Sequence, residues 1–119
     1  MPLISLNPAT GRRLATYRAH SRAELERALA RAHAALRPWR ASSVTERGGF
    51  LRAVARELLA RRDDLAALAT AEMGKPIAQA RGEVEKCART CEYFAQHGPA
   101  MLADEHPPGA PAGARVTYE

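Results

Sequence analysis

The sequence predicts a mainly α-helical segment with an N-terminal β-hairpin and a C-terminal strand. Residues 21–98 are rich in alanine, leucine, arginine and glutamate, which favour helix. Residues 2–18 carry two short apolar runs around a turn, and residues 115–119 combine β-branched and aromatic side chains that favour strand. Residues 104–113 are dominated by proline, glycine and alanine, and we expect a surface loop there.

The composition limits the size of the core. With 119 residues, the chain is long enough for one domain or part of one. Hydrophobic residues make up 46% of the chain, but 26 of them are alanine and only 5% of all residues are aromatic. Because alanine buries little apolar area, stability must come from packing between the helices.

The chain is basic, with a formal net charge of +5. A nucleic-acid-binding protein would concentrate that charge in one patch. Here the arginines are spread among glutamates, apart from the pairs Arg12–Arg13 and Arg61–Arg62, as expected for solvated helix surfaces. Nucleic-acid binding is therefore the weaker alternative, which salt-dependent retention on DNA would reveal. No signal-peptide or membrane-spanning pattern is recognisable, so we expect a cytoplasmic protein with no membrane partner.

The predicted hairpin turns at the cluster Asn7–Gly11, between the apolar runs Leu3–Leu6 and Leu14–Tyr17. Pro8 sets the turn, because its ring fixes φ, and Gly11 permits a positive φ. Two antiparallel strands are expected on either side of this turn.

Four helices are expected over residues 21–98. The spacings Ser21–Glu24 and Ser43–Glu46 predict capping boxes that begin the first two helices. Pro38 is expected to end the first helix. The apolar stripe of the first helix is predicted to be Leu25, Ala28, Leu29, Ala32 and Leu36. The stripe of the second helix that is expected to face inward is Phe50, Leu51, Val54 and Leu58.

The third helix is expected to begin with Asp63 as its cap and to end at Gly74. Pro76 suits the first position of the fourth helix, which should end by Gly98–Pro99. Trp39 is expected to pack between the first two helices. The apolar face of the fourth helix is predicted to hold Ile77, Ala80, Val84, Cys87, Cys91 and Phe94.

No catalytic, cofactor-binding or metal-binding residue is predicted on this chain. Cys87 and Cys91 lie four residues apart, on one face of a predicted helix, and we interpret them as reduced structural thiols. The four histidines are isolated, and no glycine-rich phosphate loop follows a strand. A metal site built from the two cysteines and His97 would need a further ligand that the sequence does not offer nearby.

Several motifs in order resemble the aldehyde dehydrogenase superfamily. They are NPATG at 7–11, Trp39 after a helix, Glu46–Arg47, EMGKPI at 72–77, ARGEV at 80–84, YFA at 93–95 and RVTYE at 115–119. The stretch EMGKPIAQARGEVEK, together with His97–Met101, is most similar to bacterial succinate-semialdehyde dehydrogenases.

The resemblance implies the N-terminal part of the NAD(P)-binding domain of an α/β enzyme with the aldehyde dehydrogenase fold. Such an enzyme oxidises a small aldehyde, here succinate semialdehyde, to a carboxylate. A cysteine thiolate attacks the carbonyl, hydride passes to NAD+ or NADP+, and water hydrolyses the resulting thioester. The family's nucleophile, base and cofactor-binding lysine lie beyond the stretch matched here. We therefore expect a truncated chain that is inactive alone and binds no cofactor, and an intact enzyme that is a homo-oligomer.

The resemblance also implies that the first half of the fourth helix lines the substrate entrance. Gly82 and Lys86 are the candidate residues there, and Lys86 would attract a carboxylated aldehyde by long-range Coulomb attraction. The alternative is a solvated Lys86 paired with nearby Glu83.

The isolated chain is expected to be marginally stable or aggregation-prone, because its apolar faces would lack the rest of the fold. A stand-alone four-helix interaction module is the other alternative, distinguished by whether the coding sequence ends after Glu119.

Overall fold

A computed structural model describes residues 2–118 as a β-hairpin, four α-helices and an irregular C-terminal segment. The strands are β1 (Leu3–Leu6) and β2 (Arg13–Tyr17), and the helices are α1 (Arg22–Ala41), α2 (Val44–Ala60), α3 (Arg62–Met73) and α4 (Ile77–Met101). The predicted order of elements from hairpin to fourth helix is confirmed.

The hairpin has the predicted position and turn. β1 and β2 pair antiparallel with Leu3 opposite Tyr17, and the register shifts between Ser5 and Leu6. The Asn7 side chain accepts hydrogen bonds from the backbone N–H groups of Ala9 (2.9 Å) and Thr10 (3.2 Å). Gly11 closes the turn with φ of 68°.

Both predicted capping boxes are present. At the start of α1, the Ser21 N–H donates to the Glu24 carboxylate (2.7 Å) and the Glu24 N–H donates to the Ser21 hydroxyl (3.3 Å). Ser43 and Glu46 repeat the arrangement at the start of α2, at 2.7 and 3.1 Å. These reciprocal bonds satisfy backbone donors that the first helical turn leaves without partners.

Two predicted helix ends at prolines are wrong. α1 continues through Pro38 to Ala41, and α4 continues through Pro99 to Met101. A proline removes one helical hydrogen bond and its ring displaces the preceding turn, but near a helix C-terminus few residues follow that distortion. In α1 the last turn is closed instead by Ser42, whose hydroxyl and N–H both donate to the Trp39 carbonyl, at 2.6 and 3.2 Å.

The starts of α3 and α4 also differ from the predictions. Arg61, without a side-chain cap bond, is the N-cap of α3, and Asp63 lies inside its first turn. There the Asp63 carboxylate accepts hydrogen bonds from Arg62 (3.2 Å) and Arg81 (2.9 Å) instead of capping the backbone. Pro76 is the N-cap of α4, one position before the predicted one. Gly74 ends α3 with φ of 70°, as predicted.

The core is built from small side chains where α2 and α3 pack on α4. The buried hydrophobic residues are Ala55, Ala66, Ala80, Ala88 and Ala95. Gly48 of α2 comes so close to α4 that a Cβ placed on it would lie 3.1 Å from the Ala95 carbonyl oxygen. Alanine and glycine therefore set a short distance between these helices.

The apolar stripes predicted on α1 and α2 are largely exposed. No residue of α1 (22–41) is buried, and 60% of the surface of Leu29 is exposed. Phe50 of α2 is 59% exposed, although its ring lies 5.6 Å from that of Trp39. The predicted contact of Trp39 with the second helix is thus present.

Ala80 of the face predicted on α4 is buried, and Leu51 and Leu58 of the inward stripe predicted on α2 are half-buried. Phe50 and Val54 of that stripe are exposed, so the prediction is wrong for these two residues. Their large side chains lie outside the alanine core.

The predicted C-terminal strand is reduced to a single bridge. Glu105 and Val116 exchange two backbone hydrogen bonds, of 3.0 and 2.9 Å, and no regular strand forms among the described residues around them. The Tyr118 hydroxyl donates to the Glu105 carboxylate (2.5 Å). A single bridge of two residues forms only two backbone hydrogen bonds, which is too few to stabilise a regular strand. Glu119, the last residue of the predicted strand, lies outside the described residues.

The molecule is extended and exposes much surface. Its accessible area is 9579 Å², whereas a folded protein of 12.9 kDa exposes about 6,300 Å². The radius of gyration is 20.6 Å, against about 13–14 Å for a compact domain of this length. Across residues 2–118, no helix is long and apolar enough to cross a membrane.

Candidate functional site

Gly82 and Lys86 lie one turn apart on the first half of α4. Residues four apart in a helix are neighbours on one face, so the structure places the two candidates side by side. Both are exposed, and a Cβ placed on Gly82 would meet no atom within 4 Å. The two positions therefore form an open surface on which the Lys86 ammonium stands beside a residue that has no side chain.

The acidic residues beside Lys86 pair with cations from outside α4. Glu83 forms an ion pair with Lys75, which precedes the helix. Glu85 accepts a hydrogen bond from Arg62 of α3 (3.0 Å). The suggested pairing of Lys86 with Glu83 is thus not the one that the structure contains.

These cations also set the charge state of the carboxylates. The hydrogen bond from Lys75 is the main cause that lowers the pKa of Glu83, and the charge of Lys86 adds a smaller lowering. Hydrogen bonds from Arg62 and Arg81 lower the pKa of Asp63. These contacts therefore favour the ionised forms of the Glu83 and Asp63 carboxylates.

The EMGKP motif, residues 72–76, forms the junction of α3, α4 and the hairpin. Glu72 accepts a hydrogen bond from the Ser5 hydroxyl of β1 (2.8 Å). Gly74 turns the chain in the left-handed conformation, and a Cβ there would approach the Pro8 ring at 3.3 Å. Lys75 reaches Glu83, and Pro76 begins α4. Glu72, Gly74, Lys75 and Pro76 thus each have an identifiable structural role at the base of α4.

The two cysteines form no disulfide in the structure. Cys87 is exposed and Cys91 is half-buried on α4. His97, the third member of the metal site considered above, stacks on Tyr93 with ring centroids 4.5 Å apart. Within residues 2–118, no group of three or more histidine, cysteine, aspartate or glutamate side chains is arranged to hold a metal ion.

Two open grooves lie away from the candidate residues. One, between α2 and α3, is lined mainly by apolar side chains that include Phe50, Val54, Leu58 and Leu65. The other, between α2 and α4, includes Leu59 and Tyr93. Neither groove is lined by Gly82 or Lys86.

The pairing of Lys75 with Glu83 is the feature of this site that the sequence analysis missed. Spacing along α4 suggests that Glu83 pairs with Lys86, because residues three apart share a helix face. Lys75 lies before the helix, on the far side of Pro76, where helical spacing predicts nothing. The bend at Gly74 and Pro76 brings the two side chains together.

Comparison with known proteins identifies the family. The sequence model of the aldehyde dehydrogenase family matches residues 2–119, almost the whole chain. The chain therefore belongs to the aldehyde dehydrogenase family.

Similar proteins of known name are succinate-semialdehyde dehydrogenases. A succinate semialdehyde dehydrogenase [NAD(P)+] of Escherichia coli (strain K12) is 45% identical over 102 residues, which are 86% of this chain and 22% of that protein. The succinate-semialdehyde dehydrogenase [NADP(+)] 1 of Mycobacterium tuberculosis (strain H37Rv) is 40% identical over 118 residues, 99% of this chain and 26% of that protein. The chain thus spans about a quarter of the length of these relatives.

A solved structure supports the same conclusion about the fold. The crystal structure of succinate-semialdehyde dehydrogenase from Burkholderia pseudomallei superposes with a TM-score of 0.82 at 36% identity. The match covers 98% of this chain and 24% of that one. The hairpin and the four helices are therefore those of an aldehyde dehydrogenase fold.

Proposed function

We propose that this chain forms the N-terminal part of an NAD(P)-dependent enzyme that oxidises succinate semialdehyde to a carboxylate. The observation that carries the proposal is the 40–45% identity to succinate-semialdehyde dehydrogenases over 86–99% of the chain. We further propose that the intact enzyme is a homo-oligomer, as the family resemblance implies, and that it is cytoplasmic.

We propose that the 119-residue chain itself binds no cofactor. A dinucleotide's phosphates bind at helix N-termini with free backbone donors, after a glycine-rich turn. In α1 and α2 the carboxylates of Glu24 and Glu46 accept a hydrogen bond from the backbone N–H of the N-cap serine, and their negative charge would repel a phosphate. α3 has Asp63 in its first turn, and α4 begins at Pro76, which has no N–H. The described helix starts therefore do not fit a pyrophosphate, and the nicotinamide that accepts the hydride must bind elsewhere in the intact enzyme.

An activity assay of the intact enzyme and of the isolated chain tests the proposed oxidation of succinate semialdehyde. Formation of reduced nicotinamide is followed after mixing each protein with succinate semialdehyde and NAD+ or NADP+. The intact enzyme should reduce the nicotinamide, and the isolated chain should give only the background rate. An intact protein without activity on any aldehyde would contradict the proposal, and it would favour a helical interaction module that uses the exposed apolar surface.

Lys86 is proposed to attract the carboxylate of the substrate at the entrance. Its ammonium is exposed and its two neighbouring carboxylates are paired elsewhere, which supports this role. In the intact enzyme at low salt, Lys86→Ala should raise KM for succinate semialdehyde about two- to threefold and leave kcat unchanged, because a surface charge contributes modestly to binding.

Two controls make the Lys86 test specific. KM for an uncharged aldehyde of similar length should not change, and the Lys86→Ala effect on succinate semialdehyde should shrink as salt is added. Arg31→Ala, which removes an exposed cation from α1, should leave both KM values unchanged. An unaltered KM for succinate semialdehyde in Lys86→Ala would exclude the role.

A further inference from the structure

The net positive charge around Lys86 depends on which cations the neighbouring carboxylates pair with. Glu83 and Glu85 lie three and one residues before Lys86, and each is ion-paired with a cation outside α4. Within residues 2–118, Lys86 has no ion-pair partner of its own. If either carboxylate turned to Lys86, the positive charge presented to solvent there would be largely neutralised.

Glu83 is the carboxylate that competes most directly for Lys86. A glutamate one turn before a lysine is the favourable order for a helical ion pair, so the two residues attract each other in an isolated helix. Lys75 outcompetes Lys86 because the bend at Gly74 and Pro76 places its side chain beside Glu83. Lys75 keeps only 27% of its side-chain surface exposed, whereas Glu83 keeps 54%, so Lys75 is the more buried partner of the pair.

From this arrangement we infer that Lys75 is a positioning residue for substrate recognition: it holds Glu83 so that the Lys86 ammonium remains available to an anionic aldehyde. The inference rests on the proposed role of Lys86 at the substrate entrance. It assigns the lysine of the EMGKP motif an electrostatic task in addition to its place at the junction. Lys75 itself contacts no substrate.

The test is substitution of Lys75 in the intact enzyme at low ionic strength. Lys75→Met frees Glu83 to pair with Lys86, and KM for succinate semialdehyde should rise about twofold, the factor that corresponds to one helical ion pair. kcat and KM for an uncharged aldehyde of similar length should stay unchanged. Lys75→Arg, which keeps the charge, should retain the original KM.

A second substitution separates electrostatics from structure. In Lys75→Met/Glu83→Gln, the glutamine carries no charge to neutralise Lys86, so KM for succinate semialdehyde should return to its original value. A double variant that keeps the raised KM would overturn the inference, because the effect would then be structural. If Lys75→Met reduces folded yield, Glu83→Gln alone serves: its KM should stay unchanged or fall, and a raised KM would also overturn the inference.

The outcomes also separate this inference from the proposed function. If Lys86→Ala raises KM but Lys75→Met does not, only the inference about Lys75 fails. If Lys86→Ala has no effect, the proposed substrate entrance fails and the inference fails with it.

Discussion

Glu24 joins the start of α1 to the segment that follows the hairpin. Its carboxylate accepts hydrogen bonds from the Ser21 backbone and hydroxyl, and it also forms an ion pair with Arg18. Together these contacts, with the Arg18 hydrogen bond the largest cause, lower the pKa of Glu24 from 4.5 to about 2. A side chain at the surface thus fixes both a helix start and the direction in which the chain enters it.

The pKa of Glu24 predicts a pH dependence. Because the pKa in the folded chain lies below the ordinary value, the contribution of Glu24 to stability is fully present above about pH 4.5. It is lost as the pH falls through about 2. Carboxylate NMR titration should give a pKa near 2 for Glu24, and Arg18→Ala should raise it toward 4.5. Arg22→Ala is the matched control, since Arg22 pairs with Glu26; a wild-type pKa near 4.5 would show that these contacts do not form.

The capping boxes were predictable from the sequence, whereas most contacts between elements were not. The Ser21–Glu24 box depends only on residues three apart, so the spacing was sufficient to find it. Aspartate is also a residue type that caps helices, but the Asp63 carboxylate accepts a hydrogen bond from Arg81 of another helix. The Lys75–Glu83 pair beside the candidate residues likewise depends on a bend between two helices.

At the scale of elements, α2 and α4 are held together by close backbone approach. Gly48 lies against the Ala95 carbonyl, which also accepts a hydrogen bond from Arg52 at 3.3 Å. Ala55 and Ala88 are buried in the core that the helices share. Any side chain larger than hydrogen at position 48 must push the two backbones apart.

Two adjacent glycines provide a matched test of this packing. A Cβ at Gly48 would meet backbone atoms of Ala95 at 3.1–3.7 Å, whereas a Cβ at Gly49 would meet no atom within 4 Å. In the intact enzyme, Gly49→Ala should raise stability by about 1 kcal/mol, because alanine favours helix. Gly48→Ala should lower stability by about 1 kcal/mol, because overpacking outweighs that gain. Thermal unfolding midpoints measure both, and equal shifts in the same direction would contradict the close approach.

The number and order of the helices were predictable, but the side that each helix buries was not. Periodicity identified the apolar stripes, but it does not say whether a stripe faces a neighbouring helix or another part of the fold. α2, α3 and α4 instead pack through alanines, and large residues such as Leu29 and Phe50 remain exposed. Only knowledge of the partners outside these helices would have shown which apolar face meets which neighbour.

At the scale of the whole molecule, the exposed surface agrees with the family assignment. The accessible area exceeds that of a compact protein of this mass by about half. Much of the excess is apolar, including Leu25, Leu29, Leu36, Phe50 and Val54 on α1 and α2. The relatives that this chain matches are about four times as long, and we expect further polypeptide to cover such faces in an intact enzyme.

The central claim is that residues 2–118 fold as part of a larger aldehyde dehydrogenase. The most direct test compares the isolated 119-residue chain with the intact enzyme by sedimentation, binding of an apolar dye and thermal unfolding. We expect the isolated chain to aggregate or bind dye strongly and to unfold without a cooperative transition, whereas the intact enzyme unfolds cooperatively. A soluble, monomeric isolated chain with a cooperative transition and little dye binding would contradict the claim.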